Sequence, residues 1–197
     1  MREYVPDFAR LVPAEARKVF AGEIYNVYQW PQELFDGSKA TFEMVSRPDT
    51  VKIIAVKGDK IVIVKQRQPT LDWYYDFPSG RHDEPGETEL DAAKRELREE
   101  TGMEFKNWRL IAVKQPFIKI DWLVYTFLAT DFVRQGPQNL DAGEEIEVLE
   151  MGFDEVKNLA QKSSALYMKD DREFKQYQTL DELLAAPELY RYKSAVV

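Results

Sequence analysis

The stretch from Thr88 to Thr101 constrains this chain more than any other, because it is rich in strong helix formers and contains neither glycine nor proline. Its ends are also marked. Thr88 with Asp91 three residues on approximates a capping box, with Asp in place of the usual Glu or Gln, and Gly102 suits the left-handed position after a helix. A loop containing Pro69, Pro78, Gly80, Pro85 and Gly86 precedes it. At about 3.6 residues per turn, Leu90, Ala93 and Leu97 share one face, while Ala92, Glu96, Glu99 and Glu100 share another. One face packs and the other presents carboxylates. Like charges three or four apart cost a helix a few tenths of a kcal/mol per pair, so something must offset them. Arg95 and Arg98 can do so on a solvated surface; a bound cation can do so at a working site.

Strands are expected around this helix. Alternating apolar and β-branched residues run from Phe20 to Trp30 and from Lys39 to Arg47, with Asp36-Gly37 as a turn between them. Thr50 to Val56 and Lys60 to Val64 read as a hairpin about Gly58-Asp59. Trp108 to Lys114, Ile118 to Thr130 and Glu145 to Met151 read as further strands, then Phe153 to Gln161 and Leu180 to Leu189 as helices. No βαβ rhythm repeats, which points to an α+β fold or a three-layer α/β/α sandwich rather than a doubly wound sheet.

Composition narrows the chemistry. The 197 residues include no cysteine, so disulfides, thiolate zinc sites and a cysteine nucleophile are excluded, and His82 is the only histidine, too few for a histidine metal cluster. A formal charge of -8 disfavours docking on a nucleic acid polymer. Carboxylates can still hold a small phosphate compound if divalent cations stand between the two. No stretch approaches a membrane span, and Met1 to Asp7 lacks the pattern of a secretory signal, so a cytoplasmic protein is expected.

Arg95-Glu96-Leu97-Arg98-Glu99-Glu100-Thr101-Gly102-Met103 resembles the second half of the Nudix box, Arg-Glu-U-x-Glu-Glu-x-Gly-U with U aliphatic, and the required seven residues separate Glu87 from Arg95. Six residues rather than five separate Gly80 from Glu87. Val64-Lys65-Gln66-Arg67-Gln68 and Trp73-Tyr74-Tyr75-Asp76-Phe77-Pro78-Ser79-Gly80 are similar to segments of the ADP-ribose pyrophosphatase branch, Val-Arg-Gln-Tyr-Arg and Trp-x-x-Glu-Leu-Pro-Ala-Gly, and Glu43 to Pro48 to its entering strand. The resemblance implies a Nudix fold with a mixed sheet between helices, spanning 48–197, and a small antiparallel N-terminal sheet, 1–47, used for homodimerisation and substrate contact.

It also implies an activity, the Mg2+-dependent hydrolysis of a nucleoside diphosphate sugar, with ADP-ribose giving AMP and ribose 5-phosphate; Mn2+ is a substitute ion. Glu96 and Glu100 would be the principal metal ligands, with Glu99, Glu144 and the Ser79 carbonyl completing the set. Arg95 would orient the acids, and Gly80, Glu87 and Gly102 would shape the box. Glu144 or Glu145 would be the general base, Glu99 would assist catalysis, and Asp141 is a reserve candidate. Arg47, Arg67 and Asp76 are candidates for substrate binding, with Tyr28, or its neighbours Tyr25 and Trp30, for base stacking. Gln68 stands where the branch has arginine, which keeps a GDP-mannose or UDP-glucose type of substrate open. A non-catalytic ligand sensor on the same fold is the alternative from another class.

Overall fold

The computed structural model describes residues 2–162, 168 and 171–192. A small sheet begins with β1 (Arg17–Ala21), β2 (Asn26–Glu33) and β3 (Lys39–Ser46), each antiparallel to the next. The single strand expected from Phe20 to Trp30 is two strands, because the chain reverses after Gly22, whose N–H donates to the Tyr25 carbonyl at 2.9 Å.

The larger sheet is mixed. Its order is β11 (Glu145–Gly152), β5 (Lys60–Gln68), β4 (Asp49–Lys57), β10 (Val124–Gln135) and β8 (Met103–Lys114), with β10 parallel to β4. The hairpin about Gly58 forms as expected, Gly58 having a φ of 63°, but β4 and β5 pair only at Val56–Ile61 and Lys57–Lys60. They then diverge. β4 takes β7 (Ser79–His82) and β10, while β5 takes β6 (Leu71–Asp76) and β11. This splaying leaves a cleft between the two halves of the sheet.

The strand expected from Ile118 to Thr130 is also divided. β9 (Ile120–Asp121) joins the small sheet beside β3, and after a break at Trp122-Leu123 the chain enters the large sheet as β10. One segment thus ties the two sheets together. Arg2 reinforces the join, its guanidinium bridging Asp49 at 2.5 Å and Asp121 at 2.7 Å.

Both faces of the large sheet are covered. Ile53, Val62, Leu110 and Tyr125 pack under α1 (Glu89–Thr101), against Ala92, Ala93 and Leu97. Ile54, Ile63 and Phe77 pack on the other face against Phe153, Val156 and Phe174, from α2 (Phe153–Leu159) and α3 (Arg172–Lys175). The adjacent Ile53 and Ile54 enter opposite cores, as the strand period of two requires. α4 (Leu180–Leu184) stops well before the expected Leu189. Pro187 explains this, since the residue before a proline is pushed out of helical conformation. The described residues form the expected α+β sandwich.

Candidate active site

Local sequence fixes the position of α1. Thr88 accepts from the Asp91 N–H at 3.1 Å, Asp91 accepts from the Thr88 N–H at 3.3 Å, and Gly102 closes the helix with a φ of 70°. A β-carbon on Gly102 would lie 2.1 Å from the Gly136 carbonyl oxygen, so glycine is required there twice over.

The carboxylate face of this helix does not look into solvent. It lies on β7, with the Glu96 carboxyl directly over Gly80: a β-carbon at position 80 would sit 1.9 Å from Glu96 Cδ. Gly80 is therefore the glycine on which the acid rests. The Ser79 N–H donates to Glu100 Oε2 at 3.0 Å. The extra residue in the box lies beyond both, in the exposed turn after His82, where Gly86 has a φ of 81° and the Glu87 N–H reaches the Glu84 carbonyl. His82 supports that loop, with Nε2 2.8 Å from the Glu87 carbonyl oxygen.

Arg95 organises the acids. It donates from Nε to Glu87 at 2.8 Å and from Nη1 to Glu96 at 2.7 Å and Glu99 at 3.1 Å, and Nη2 reaches the Arg81 carbonyl at 2.9 Å. Crowding and burial act on the rest. Burial pushes the Glu96 carboxyl up to about 7 against the pull of Arg95, with Glu99 and Glu144 adding repulsion. Glu100 is buried and raised well above the usual carboxylate range, first by burial and then by Glu96. Glu144 is raised by burial, with Asp141 and Glu99 contributing.

Glu100 and Glu144 line a cleft of about 530 Å³ in the splay of the large sheet, together with Ser79 and Gly80. Asp76 lies in the same cleft, its carboxyl raised to about 6 by burial. Cations share the cleft with these acids: Arg47, Lys52, Arg81 and Lys114 all line it.

The neighbouring candidates Glu144 and Glu145 share a side cavity of about 570 Å³ with Arg67 and Gln68, but only Glu144 also lines the cleft of Glu100. Glu144 lines the cleft, whereas Glu145 faces Arg67 across the β5–β11 pairing and accepts from it at 2.8 and 2.9 Å. Arg67 lies over the Trp73 ring at 5.1 Å and is absent from the cleft lining, while Gln68 is part of it. A single residue along a strand is enough to turn Arg67 to the other side. Arg67 and Glu145 thus satisfy each other as an exposed pair on the wall of the side cavity rather than of the cleft.

In the small sheet, Tyr28 lies under the Lys18 ammonium at 5.5 Å, and Trp30 is buried beside Phe42; neither lines the cleft. Tyr25 stands beside Arg47, 5.8 Å from its guanidinium.

Sequence reasoning missed Lys52, Lys114, Phe117 and Trp122. Lys52 is buried and bonds Asp171 at 2.5 Å, and Lys114 bonds Glu173 at 2.8 Å, so α3 and its N-cap anchor the two lysines of the cleft. Burial opposes the Lys52 charge, but Asp171 and Asp76 more than offset it and hold the ammonium protonated. Partners so far apart in the chain leave no local signal.

The NUDIX domain profile matches residues 46–188, most of the chain. The chain belongs to the Nudix family. It is 32% identical over 174 residues to an ADP-ribose pyrophosphatase of Bacillus subtilis, covering 86% of this chain and 92% of that protein. It is 29% identical over 147 residues to a methanol dehydrogenase activator of Bacillus methanolicus, covering 72% of this chain and 78% of the relative. A crystal structure of an ADP compounds hydrolase superposes with a TM-score of 0.61 at 18% identity, over 79% of this chain and 90% of that one, which shows a shared fold. With its box glutamates complete, the chain is a Nudix pyrophosphohydrolase.

Nudix chemistry calls for a divalent cation, and the donors here fit one. Glu96, Glu100 and Glu144 are hard oxygen donors that raise one another's affinity for protons, so a dication among them would relieve repulsion as well as bind. Among the described residues no three acidic side chains already converge tightly enough to chelate one ion. Arg95 accounts for part of this, since it draws Glu96 and Glu99 onto its own guanidinium.

Proposed function

We propose that this Nudix enzyme hydrolyses the pyrophosphate of a nucleoside diphosphate sugar in a Mg2+-dependent reaction, with ADP-ribose the leading substrate. The carrying observation is that one cleft is lined both by the acids Glu100 and Glu144 and by the cations Arg47, Lys52, Arg81 and Lys114. A pyrophosphate fits such a space, because its oxygens need cations on every side. The Bacillus subtilis relative named for ADP-ribose supports the substrate.

In this reading Glu96 and Glu100 would hold the metal, joined by Glu99, Glu144 and the Ser79 carbonyl. When bound, Mg2+ or Mn2+ neutralises phosphoryl charge and acidifies a water. Glu144 takes the proton of the attacking water as the water oxygen bonds to phosphorus and the bridging phosphorus–oxygen bond breaks. Glu144 is the candidate because it, and not Glu145, lines the cleft beside Glu100. Arg47 orients the phosphates. Residues 1–47 act as a dimerisation unit around the small sheet, where Val19, Phe20 and Ile24 expose apolar surface.

Gln68 lining the cleft, in place of an arginine, favours a second reading in which another sugar nucleotide is preferred. One assay separates them. Protein with Mg2+ is incubated with ADP-ribose, ADP-glucose, GDP-mannose, UDP-glucose and nucleoside triphosphates, and the products are resolved by ion-exchange chromatography. AMP and ribose 5-phosphate should predominate. Preference for GDP-mannose or UDP-glucose would replace the substrate assignment, and no cleavage of any of them with either Mg2+ or Mn2+ would refute the function.

A further inference from the structure

Four side chains form a continuous ladder from the small sheet to the cleft. Tyr25 lies 5.8 Å from the Arg47 guanidinium, Arg47 lies 4.6 Å from the Trp122 ring centroid, and Trp122 is stacked with Phe117 at 6.5 Å and 23°. Trp122 cannot swing freely, because its Nε1–H donates to Thr50 Oγ1 at 3.0 Å. The ladder ends on Phe117, a large apolar ring that is 59% exposed although it lines the same cleft as Glu100 and Glu144.

We propose that Phe117, braced by Trp122, is a stacking platform for a planar nucleobase, so that the loop between β8 and β9 supplies the base subsite. The inference rests on the nucleoside diphosphate reading given above. Three physical points carry it. More than half of the Phe117 surface stays exposed beside the cleft, so an apolar face is available to a ligand. A nucleobase laid on the free face of Phe117 would make an aromatic pair of the kind Phe117 already makes with Trp122. The Arg47 guanidinium lies over Trp122 and lines the same cleft as Phe117, so one cleft offers both an aromatic face and a phosphate-binding cation. The arrangement holds any base by its face, and it places the base on the same chain that carries the acids, in contrast to Tyr28 and Trp30, which do not reach the cleft.

The test compares wild type with Phe117→Ala and Phe117→Tyr in two assays: AMP and ribose 5-phosphate binding by isothermal titration calorimetry, and ADP-ribose hydrolysis. Wild type should bind AMP more tightly than ribose 5-phosphate. Phe117→Ala should lose that preference and raise KM about tenfold or more, with kcat changing much less, and Phe117→Tyr should restore both. Unchanged AMP affinity in Phe117→Ala would overturn the platform. So would a change in oligomeric state on light scattering with AMP binding per chain intact, since the ring would then serve an interface between copies. If AMP binding depends on Phe117 but no substrate is cleaved, the platform stands and the hydrolase reading fails.

Discussion

Replacing Glu96 with Gln should make the EDTA-treated protein more stable above neutral pH while abolishing its response to Mg2+. The Glu96 carboxyl is only 15% exposed, and burial raises it from 4.5 to about 7. Between those two values the unfolded chain has released the proton and the folded chain still holds it, so the folded state binds more protons and stability falls as pH rises. Below 4.5 the penalty is absent; above 7 it is complete. At about 1.4 kcal/mol per pH unit, the gap is worth about 3 kcal/mol. For a domain of this size that is roughly 6 to 12 °C in Tm. The Gln side chain keeps an oxygen for Arg95 but cannot ionise. Thermal unfolding of both proteins in EDTA from pH 4.5 to 8.5 should therefore give curves that diverge with rising pH, wild type falling below the variant. Mg2+ should lift wild type at pH 8 and leave the variant nearly unmoved. Parallel curves would show that burial does not oppose Glu96 ionisation, and an equal Mg2+ response would remove Glu96 from the metal ligands.

Glu144→Gln should lower kcat by roughly two or more orders of magnitude, whereas Glu145→Gln, which loses only the exposed pair with Arg67, should change it less than about threefold; steady-state rates on the preferred substrate would decide, and the reverse order would move the base to Glu145. Lys52→Met should cost about 3 to 5 kcal/mol of stability in chemical denaturation, because Asp171 is left buried without its cation; a loss below about 1 kcal/mol would mean that α3 does not depend on this pair.

The box and its helix were legible in the sequence because their determinants are local. Thr88, Asp91 and Gly102 fix the helix ends through bonds that span three or four residues, and the spacing of Glu96, Glu99 and Glu100 follows from the helical turn alone. The hairpin at Gly58 and the β3 strand are similarly local. The divided strand at Trp122 was not legible, because the apolar pattern runs through the break and only the presence of two sheets gives its halves different partners. Nor was the fate of the carboxylate face: helical periodicity gathers the acids, but β7 decides that Glu100 is buried and that Glu96 rests on Gly80.

The same division holds across the site. Sequence alone determined an acidic, cysteine-free chain with a complete set of box glutamates, and with them the family to which it belongs. Tertiary structure decided which of two adjacent glutamates enters the cleft, set Arg67 outside it, and brought in Lys52, Lys114, Phe117 and Trp122. The physical reason is range: capping and helical spacing act within a few residues, while the direction of a strand side chain and the pairing of a buried charge depend on whichever distant segment the sheet lays beside it.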